Sequence, residues 1–140
     1  MLFRSISTSG IGSTITADGD VTLAAHGATA DINFFANITG TSGVARTLTM
    51  QADRDVMIGN PSISTSYQST GGGALNIDLN SDRDANGSGA VIVRANSGSS
   101  FTFVANTNGG NFNAHGGVTA TGLATGSGDQ IGRASCRERV

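Results

Sequence analysis

The stretch that decides the fold runs from residue 48 to residue 93, because it contains one phrase twice. The two copies are Leu48-Thr-Met-Gln-Ala-Asp-Arg-Asp-Val-Met-Ile58 and Leu75-Asn-Ile-Asp-Leu-Asn-Ser-Asp-Arg-Asp-Ala-Asn-Gly-Ser-Gly-Ala-Val-Ile-Val93. In each copy an alternating apolar run leads into Asp-Arg-Asp, and a second apolar run follows. Alternation with a period of two is typical of a half-buried β-strand. Recurrence about 27–29 residues later, with no helical pattern in between, predicts the stacked coils of a solenoid.

The composition favours strands and turns over helices. Of 140 residues, 37% are hydrophobic, 13% are charged, 21 are Gly and 1 is Pro, and the net charge is −2. The chain has no Lys, and Glu138 is its only Glu. Lys and Glu suit helix surfaces, whereas Asp, Asn and Gly suit turns, so this bias predicts an all-β domain. No basic stripe exists, so nucleic acid is not an expected partner, and no apolar run approaches the length of a membrane span.

We therefore predict an all-β, right-handed parallel β-helix over residues 1–130, as a fragment of a longer shaft. Each coil would lay short strands on those of the coil before it, with apolar columns inside and Gly, Asn, Asp and Ser at the turns. A Greek-key sandwich is the competing structure, and it would show hairpin turns at closer and more even spacing. About four to six coils are expected.

The remaining elements follow from the same alternation. They are, in chain order, a strand-turn-strand unit at 15–25 with its turn at Asp18-Gly19, an inward row at Ile32, Phe34, Ala36 and Ile38, a strand at 101–105, and the start of a last coil at 118–123. Residues 5–12 and 59–73 are predicted connections. The predicted core contains Leu48, Met50, Leu75, Ile77, Leu79, Phe101 and Phe103, with Thr49, Asn76 and Asp78 facing solvent.

Both Asp-Arg-Asp copies are predicted to lie at equivalent turns, because each stands between two apolar runs. Asp can accept local backbone N–H groups there, and Arg can reach a carboxylate on the next coil. Their side chains are expected to face solvent largely.

The second copy also resembles the opening of a calcium loop. Asp82, Asp84 and Asn86 offer oxygen ligands at alternate positions, and Gly87 follows. The later ligand positions fall on residues without a side-chain oxygen, so we interpret the stretch as a solvated turn. We therefore predict that the chain has no metal site. If calcium did bind, Asp82, Asp84 and Asn86 would be its ligands, and a calcium-stabilised solenoid is the alternative.

Catalysis would need the carboxylates of the two copies to stack on one face. Sugar-cleaving β-helices use such pairs for acid and base work, and the groups that could hold a sugar here are Arg54, Arg83 and Tyr67. An Asp ladder interleaved with Arg is more simply interpreted as a ladder of surface charges. We therefore predict that the protein has no catalytic residue and no cofactor and is not an enzyme. A carbohydrate-active β-helix enzyme is the alternative. His26 and His115 are interpreted as surface side chains. Asn37 and Asn86 begin glycosylation sequons, which are frequent by chance in such a chain.

Three stretches resemble filamentous-haemagglutinin-like exoproteins of two-partner secretion. They are Ile38-Thr-Gly-Thr, Leu48-Thr-Met-Gln-Ala-Asp-Arg-Asp-Val-Met-Ile-Gly59 and Leu75-Asn-Ile-Asp-Leu-Asn-Ser-Asp-Arg-Asp-Ala-Asn-Gly-Ser-Gly-Ala90, and the resemblance covers roughly residues 15–118. It implies a long right-handed β-helix on a bacterial surface, exported through an outer-membrane transporter partner and used for adhesion to a host-cell receptor or glycan, or for haem-related uptake. Neighbouring coils of the same parent chain would be its closest contacts. Residues 1–6 lack the apolar core of a signal peptide, so an export signal is expected upstream.

The last ten residues differ from the rest of the chain. Residues 131–140 hold the only Cys, the only Glu and three of the eight Arg, and they resemble the conceptual translation of sequencing-adapter DNA. We expect this non-native tail to lie outside the fold, a genuine basic tail being the alternative. Residues 1–130 then carry five Arg and nine Asp, a net charge of −4, and no Cys. The absence of Cys fits export of an unfolded chain but is equally compatible with a cytosolic origin.

Overall fold

The computed structural model describes residues 6–8, 13–60, 62–94 and 102–116, and this part of the chain contains β-strands and no helix. The strands are β1 (Ile6–Thr8), β2 (Thr14–Ala17), β3 (Val21–Ala25), β4 (Ile32–Phe34), β5 (Asn37–Gly40), β6 (Arg46–Ala52), β7 (Val56–Ile58), β8 (Thr65–Ser69), β9 (Leu75–Asn80), β10 (Val91–Val93), β11 (Phe103–Asn106) and β12 (Phe112–His115). They form three sheets in the orders β1-β4-β7-β10, β2-β5-β8-β11 and β3-β6-β9-β12, here called sheets A, B and C.

Each strand from β1 to β9 pairs in parallel with the strand three positions later in the chain. Three successive strands therefore make one coil, and the described residues form four coils, β1–β3, β4–β6, β7–β9 and β10–β12. This is the architecture of a parallel β-helix, so the predicted fold class is confirmed. The antiparallel pairing of a Greek-key sandwich is absent from the described strands. The predicted tail at 131–140 and the strand start at 118–123 lie outside the described residues.

Apolar side chains from all three sheets fill the interior. Of the predicted core, Leu48, Met50, Leu75, Ile77 and Leu79 are buried, and so is the whole inward row Ile32, Phe34, Ala36 and Ile38. Phe103 is only half-buried, because it lies on the last described coil, and Phe101 lies outside the described residues. The register places like with like, since Leu48 pairs with Ile77 and Met50 with Leu79.

The outward side chains of sheet C are less exposed than the alternation suggests. Thr49, Asn76 and Asp78 were expected to face solvent, but each is half-buried. Neighbouring strands lie about 4.8 Å apart, so side chains in one outward column cover each other's flanks. The prediction that these three side chains face outward is correct, but they are less exposed than predicted.

Two predicted connections contain strands. Residues 5–12 include β1, and residues 59–73 include β8. In β8 the inward positions are Thr65 and Tyr67, both buried, and a single large side chain gives too weak an apolar pattern to reveal a strand. Tyr67 continues an interior aromatic stack, with ring centroids 5.9 Å from Phe34 and 5.0 Å from Phe103.

The connections are corners between sheets rather than hairpins. Asp18-Gly19 does separate two strands as predicted, but β2 belongs to sheet B and β3 to sheet C. Coils stack so closely at some corners that only Gly fits. At Gly59, where φ is 78°, a Cβ atom would collide with the carbonyl oxygen of Arg94 on the following coil.

Candidate functional site

The polar centre of the molecule is the stack of corners that lead from sheet C to sheet A, here called the charged corner column. It consists of residues 26–31, 53–55 and 81–90, one corner from each of the first three coils. Backbone bonds join successive corners: Arg54 N–H donates to Ala30 O at 3.0 Å, and Asp82 N–H donates to Arg54 O at 3.1 Å. The two Asp-Arg-Asp copies therefore occupy equivalent corners of adjacent coils, as predicted.

Arg54 binds a carboxylate on the preceding coil. Its guanidinium donates two hydrogen bonds to Asp31, one of them from Nε to Oδ1 at 2.7 Å. Asp31 Oδ1 also accepts the N–H of Asp55 at 3.2 Å. The bond from Arg54 lowers the pKa of Asp31 below its ordinary value of 3.8, and the same pairing raises the pKa of Arg54.

Arg83 repeats this arrangement one coil later. Its Nε donates to Asp53 Oδ1 at 2.8 Å, and its terminal nitrogen also contacts the Nδ1 atom of His26, two coils back. The other oxygen of Asp53 accepts the Gly27 N–H at 2.6 Å. This N–H bond, and then Arg83, lower the pKa of Asp53, while burial acts in the opposite direction. One carboxylate thereby connects three successive coils.

Two details of the prediction for these corners are wrong. Asp53 and Asp82 are buried, with 6% and 8% exposure, although they were expected to face solvent. Both Arg side chains bind the preceding coil rather than the next one. The Arg side chains are not buried, since 41% of Arg54 and 33% of Arg83 remain exposed; Arg54 binds the half-buried Asp31, and Arg83 binds the buried Asp53.

The calcium candidates are occupied with local hydrogen bonds. Both oxygens of Asp82 accept the Gly87 N–H, at 3.0 and 3.1 Å, and Oδ1 also accepts Ser88 N–H at 3.3 Å. Asp84 and Asn86 are exposed and bind each other at 2.9 Å. Asp82 thus caps its own loop instead of pointing with the other two at a shared centre. In the described residues no group of three or more His, Cys, Asp or Glu side chains is placed to hold a metal ion.

The carboxylates proposed for sugar chemistry are similarly engaged. Asp55 Oδ1 accepts the Ala90 N–H at 2.9 Å, so it fastens the third coil's long corner to the second coil. Tyr67, which could have held a sugar, is fully buried and donates to Phe34 O at 3.3 Å. Burial raises the pKa of its hydroxyl. The arrangement can hold coils in register, and it presents no aromatic platform beside the acids.

The two histidines lie in different settings. His26 is part of the charged corner column through Arg83. His115 lies exposed on the outer face of sheet C, with its Nε2 atom 3.8 Å from Asp78 Oδ1. Of the sequon residues, Asn86 is exposed, whereas Asn37 sits within β5 and accepts the Ser66 N–H at 2.9 Å.

Sequence reasoning missed Asp31, Gly27 and the part played by His26. A signal for Asp31 was present, because Asp31 precedes the first residue of β4 just as Asp55 precedes the first residue of β7. No comparable signal marks Gly27, whose backbone N–H acts only because the stack brings it to Asp53.

Comparisons with known proteins add no family to this description. A scan against family models, a search of curated proteins and a search of solved structures each gave no match. Within the described part of the chain there is no helix of the length and hydropathy needed to span a membrane.

Proposed function

We propose that the chain is a structural repeat segment from the shaft of a large secreted bacterial surface adhesin or exoprotein of the filamentous-haemagglutinin type. Its function there is to supply length and rigidity. The observation that carries the proposal is the use of charge in the corner column. Asp31, Asp53 and Asp55 each bind groups on a neighbouring coil, so the acids act as fastenings between coils.

The interior supports the same function. Three parallel sheets run along the stack, and each added coil buries another set of apolar side chains in the same interior. A shaft requires this property, because it lets length grow by repetition. An enzyme of this architecture would instead need free acids beside groups that grip the substrate.

Under this proposal the parent protein crosses the outer membrane through a transporter partner and remains on the bacterial surface. Other domains or loops of the parent bind the host-cell receptor or glycan, and this segment contacts the neighbouring coils of its own chain. It is not an enzyme and carries no cofactor.

The coding DNA on both sides of this segment provides the first test. We expect the reading frame to continue into further coils, with a secretion domain upstream, and an antibody against the chain to label intact cells that carry the gene. A frame that closes without a secretion domain, or labelling only after the cells are opened, would contradict the proposal.

A coil deletion tests the spacer function directly. Removing residues 32–55 from the parent joins Asp31 to Val56, and because Ile32 pairs with Val56 the stack should close with one coil fewer. We expect export and adhesion to persist. The matched control, removal of 32–43, ends within a coil and should disrupt folding. Loss of adhesion with export intact in the full-coil deletion would show that this segment itself binds the target.

A further inference from the structure

The long corner, residues 81–90, contains a chemically reactive dipeptide. Residues 86 and 87 are Asn and Gly, and Asn86 is exposed. In such a pair the backbone nitrogen of the second residue can attack the side-chain carbonyl carbon of the first, because Gly has no side chain to hinder the approach. The attack requires that the N–H lose its proton and that the amide carbonyl be held beside it. The long corner meets both requirements through residues on either side of the pair.

Asp82 lies at the proton that has to leave. The Gly87 N–H donates to both oxygens of this carboxylate, at 3.0 and 3.1 Å. A general base must lie within hydrogen-bond reach of the proton that it abstracts, and Asp82 satisfies this condition. Asp82 is also held in place, because it is buried and its own N–H donates to Arg54 O on the preceding coil at 3.1 Å.

The Asn86 side chain is held in the orientation that the attack needs. Its Oδ1 atom accepts the Ser88 N–H at 2.8 Å. The ring that this bond closes contains both the Asn86 Cγ atom and the Gly87 nitrogen, so the two reacting atoms stay on the same side of the chain. The Ser88 N–H also binds the oxygen on which negative charge develops when Cγ is attacked, as the donors of an oxyanion hole do. The leaving nitrogen, Asn86 Nδ2, donates to Asp84 at 2.9 Å, so the amide is fixed at both ends.

We propose that Asn86 is a self-modification site, whose side-chain amide is displaced by the Gly87 nitrogen with Asp82 as the base. The Gly87 nitrogen forms a bond to Asn86 Cγ while Asp82 takes its proton. The bond from Cγ to Nδ2 then breaks, and Nδ2 leaves as ammonia with that proton, so a cyclic imide remains. Water opens the imide at either of its two carbonyl carbons and gives aspartate or isoaspartate at position 86.

The product differs from Asn86 in charge and in backbone length. A carboxylate replaces the amide that donates to Asp84, so repulsion between like charges replaces a hydrogen bond. Isoaspartate also adds a carbon atom to the main chain, which displaces the Gly87 N–H from its acceptor. The tip of the corner is thereby released, whereas Asp55 still holds Ala90 at the end of the corner. This inference rests on the contacts within the corner and is independent of the proposed export and adhesion, so either can fail without the other.

The pair Asn108-Gly109 provides a control within the same chain. Asn108 is exposed too, but its Nδ2 atom donates to Gly72 O on the preceding coil at 2.8 Å. Within the described residues no carboxylate accepts the Gly109 N–H. This pair therefore has the reactive sequence without the base.

The first experiment follows both sites by peptide mass spectrometry during incubation of the folded chain at neutral pH. The modification exchanges NH2 for OH and raises the peptide mass slightly. Trypsin cuts after Arg83 and Arg94, so Asn86 is the only Asn in its peptide. We expect Asn86 to react at least about tenfold faster than Asn108 in the folded chain, and at a similar rate in urea, where the corner is lost. Similar rates at the two sites in the folded chain would overturn the proposal.

The variant Asp82→Asn tests the base itself. The new side-chain oxygen can still accept the Gly87 N–H but does not take up its proton, so the rate at Asn86 should fall about tenfold or more. The matched control Asp78→Asn removes the same charge from β9, the strand before the corner, and should leave the rate unchanged. Melting curves show whether each variant is folded. An unchanged or higher rate in folded Asp82→Asn would mean that Asp82 only restrains the loop, which contradicts the proposal.

The pH dependence of the original chain decides the question if Asp82→Asn does not fold. At Asn108, where hydroxide has to remove the proton, the rate should rise in proportion to the hydroxide concentration. At Asn86 a side chain takes the proton instead, so the rate should rise much less steeply from mildly acidic to mildly alkaline pH. Equal pH dependence at the two sites would refute the assignment of Asp82 as the base.

Discussion

The two Asp-Arg-Asp corners share a sequence but differ in what their first carboxylate binds. The first corner joins β6 to β7 in three residues, whereas ten residues join β9 to β10. In the short corner, Asp53 accepts hydrogen bonds from Gly27 and Arg83, which lie on the coils before and after it. In the long corner, Asp82 accepts the N–H groups of its own loop.

Corner length explains the difference. Three residues cannot turn back far enough to supply donors for a buried carboxylate, so Asp53 is satisfied by groups from other coils. Ten residues can, and Asp82 adopts a left-handed conformation, φ 56°, that begins the turn back. An identical motif therefore fastens coils together at one level and shapes a protruding loop at the next.

The largest loss of stability is expected on the strand that enters the long corner. Ile77 is fully buried, so Ile77→Ala should lower the free energy of unfolding by about 2–5 kcal/mol through lost burial and the cavity left behind. Thr49→Ala, on the outward face of the adjacent strand, is the control and should change it by less than about 0.5 kcal/mol. Urea denaturation measures both, and similar values for the two would refute the assigned inward register.

The next effect compares the two first carboxylates. Asp53→Ala leaves the Gly27 N–H and the Arg83 guanidinium without their acceptor, and we expect a loss of about 1–3 kcal/mol. Asp82→Ala should cost less, because its donors belong to a partly exposed loop that can turn to water. An equal or greater loss for Asp82→Ala in the same urea titration would show that the long corner, too, holds the coils together.

Acid should weaken the bonds that Asp31 and Asp53 make between coils. The pKa values of Asp31 and Asp53 are lowered in the folded chain, so these groups stabilise the fold above the unfolded-state value of about 3.8. That contribution declines as the pH falls through this value and is gone below the lowered folded pKa values. Melting temperatures measured from neutral pH to pH 2 should show a smaller acid-induced decrease for Asp53→Asn than for the original chain. Parallel curves would mean that Asp53 is not part of the acid response.

A smaller effect concerns the ion pair itself. In a double-mutant cycle with Asp53→Ala and Arg83→Ala, we expect a coupling energy of about 0.5–3 kcal/mol, because Asp53 is buried and the two side chains are in direct contact. The matched cross-pair, Asp82→Ala with Arg83→Ala, should couple less, since Arg83 is directed to the preceding coil. Equal coupling energies in the two cycles would mean that Arg83 interacts with both carboxylates through the overall electrostatic field of the corner rather than through its direct contact with Asp53.

How much could be predicted from the sequence depends on whether a feature is local. The interior columns could be, because Leu48, Met50 and their counterparts alternate within one strand and need no knowledge of the neighbours. Strand β8 could not be predicted from the sequence, because its inward residue Thr65 is of a type that is equally common on protein surfaces. The burial of Asp53 could not be predicted either, because its partner Gly27 lies 26 residues away and only the stacking of the coils brings the two together.

The smallest effect is expected at the tip of the long corner, and it tests the calcium alternative. Asp84 and Asn86 are exposed and bind each other, so Asp84→Ala should change the free energy of unfolding by less than about 0.5 kcal/mol. Asp82 would have to give up its bonds to Gly87 and Ser88 before joining them as a ligand, and the loop lacks the bidentate acid that calcium loops use. Added calcium should therefore leave the melting temperature of the original chain unchanged, as magnesium should in the control. If calcium raised the melting temperature and Asp84→Ala abolished that rise, the long corner would be a metal-binding loop whose hydrogen bonds rearrange when calcium binds. The two corners would then differ in ligand binding as well as in structure.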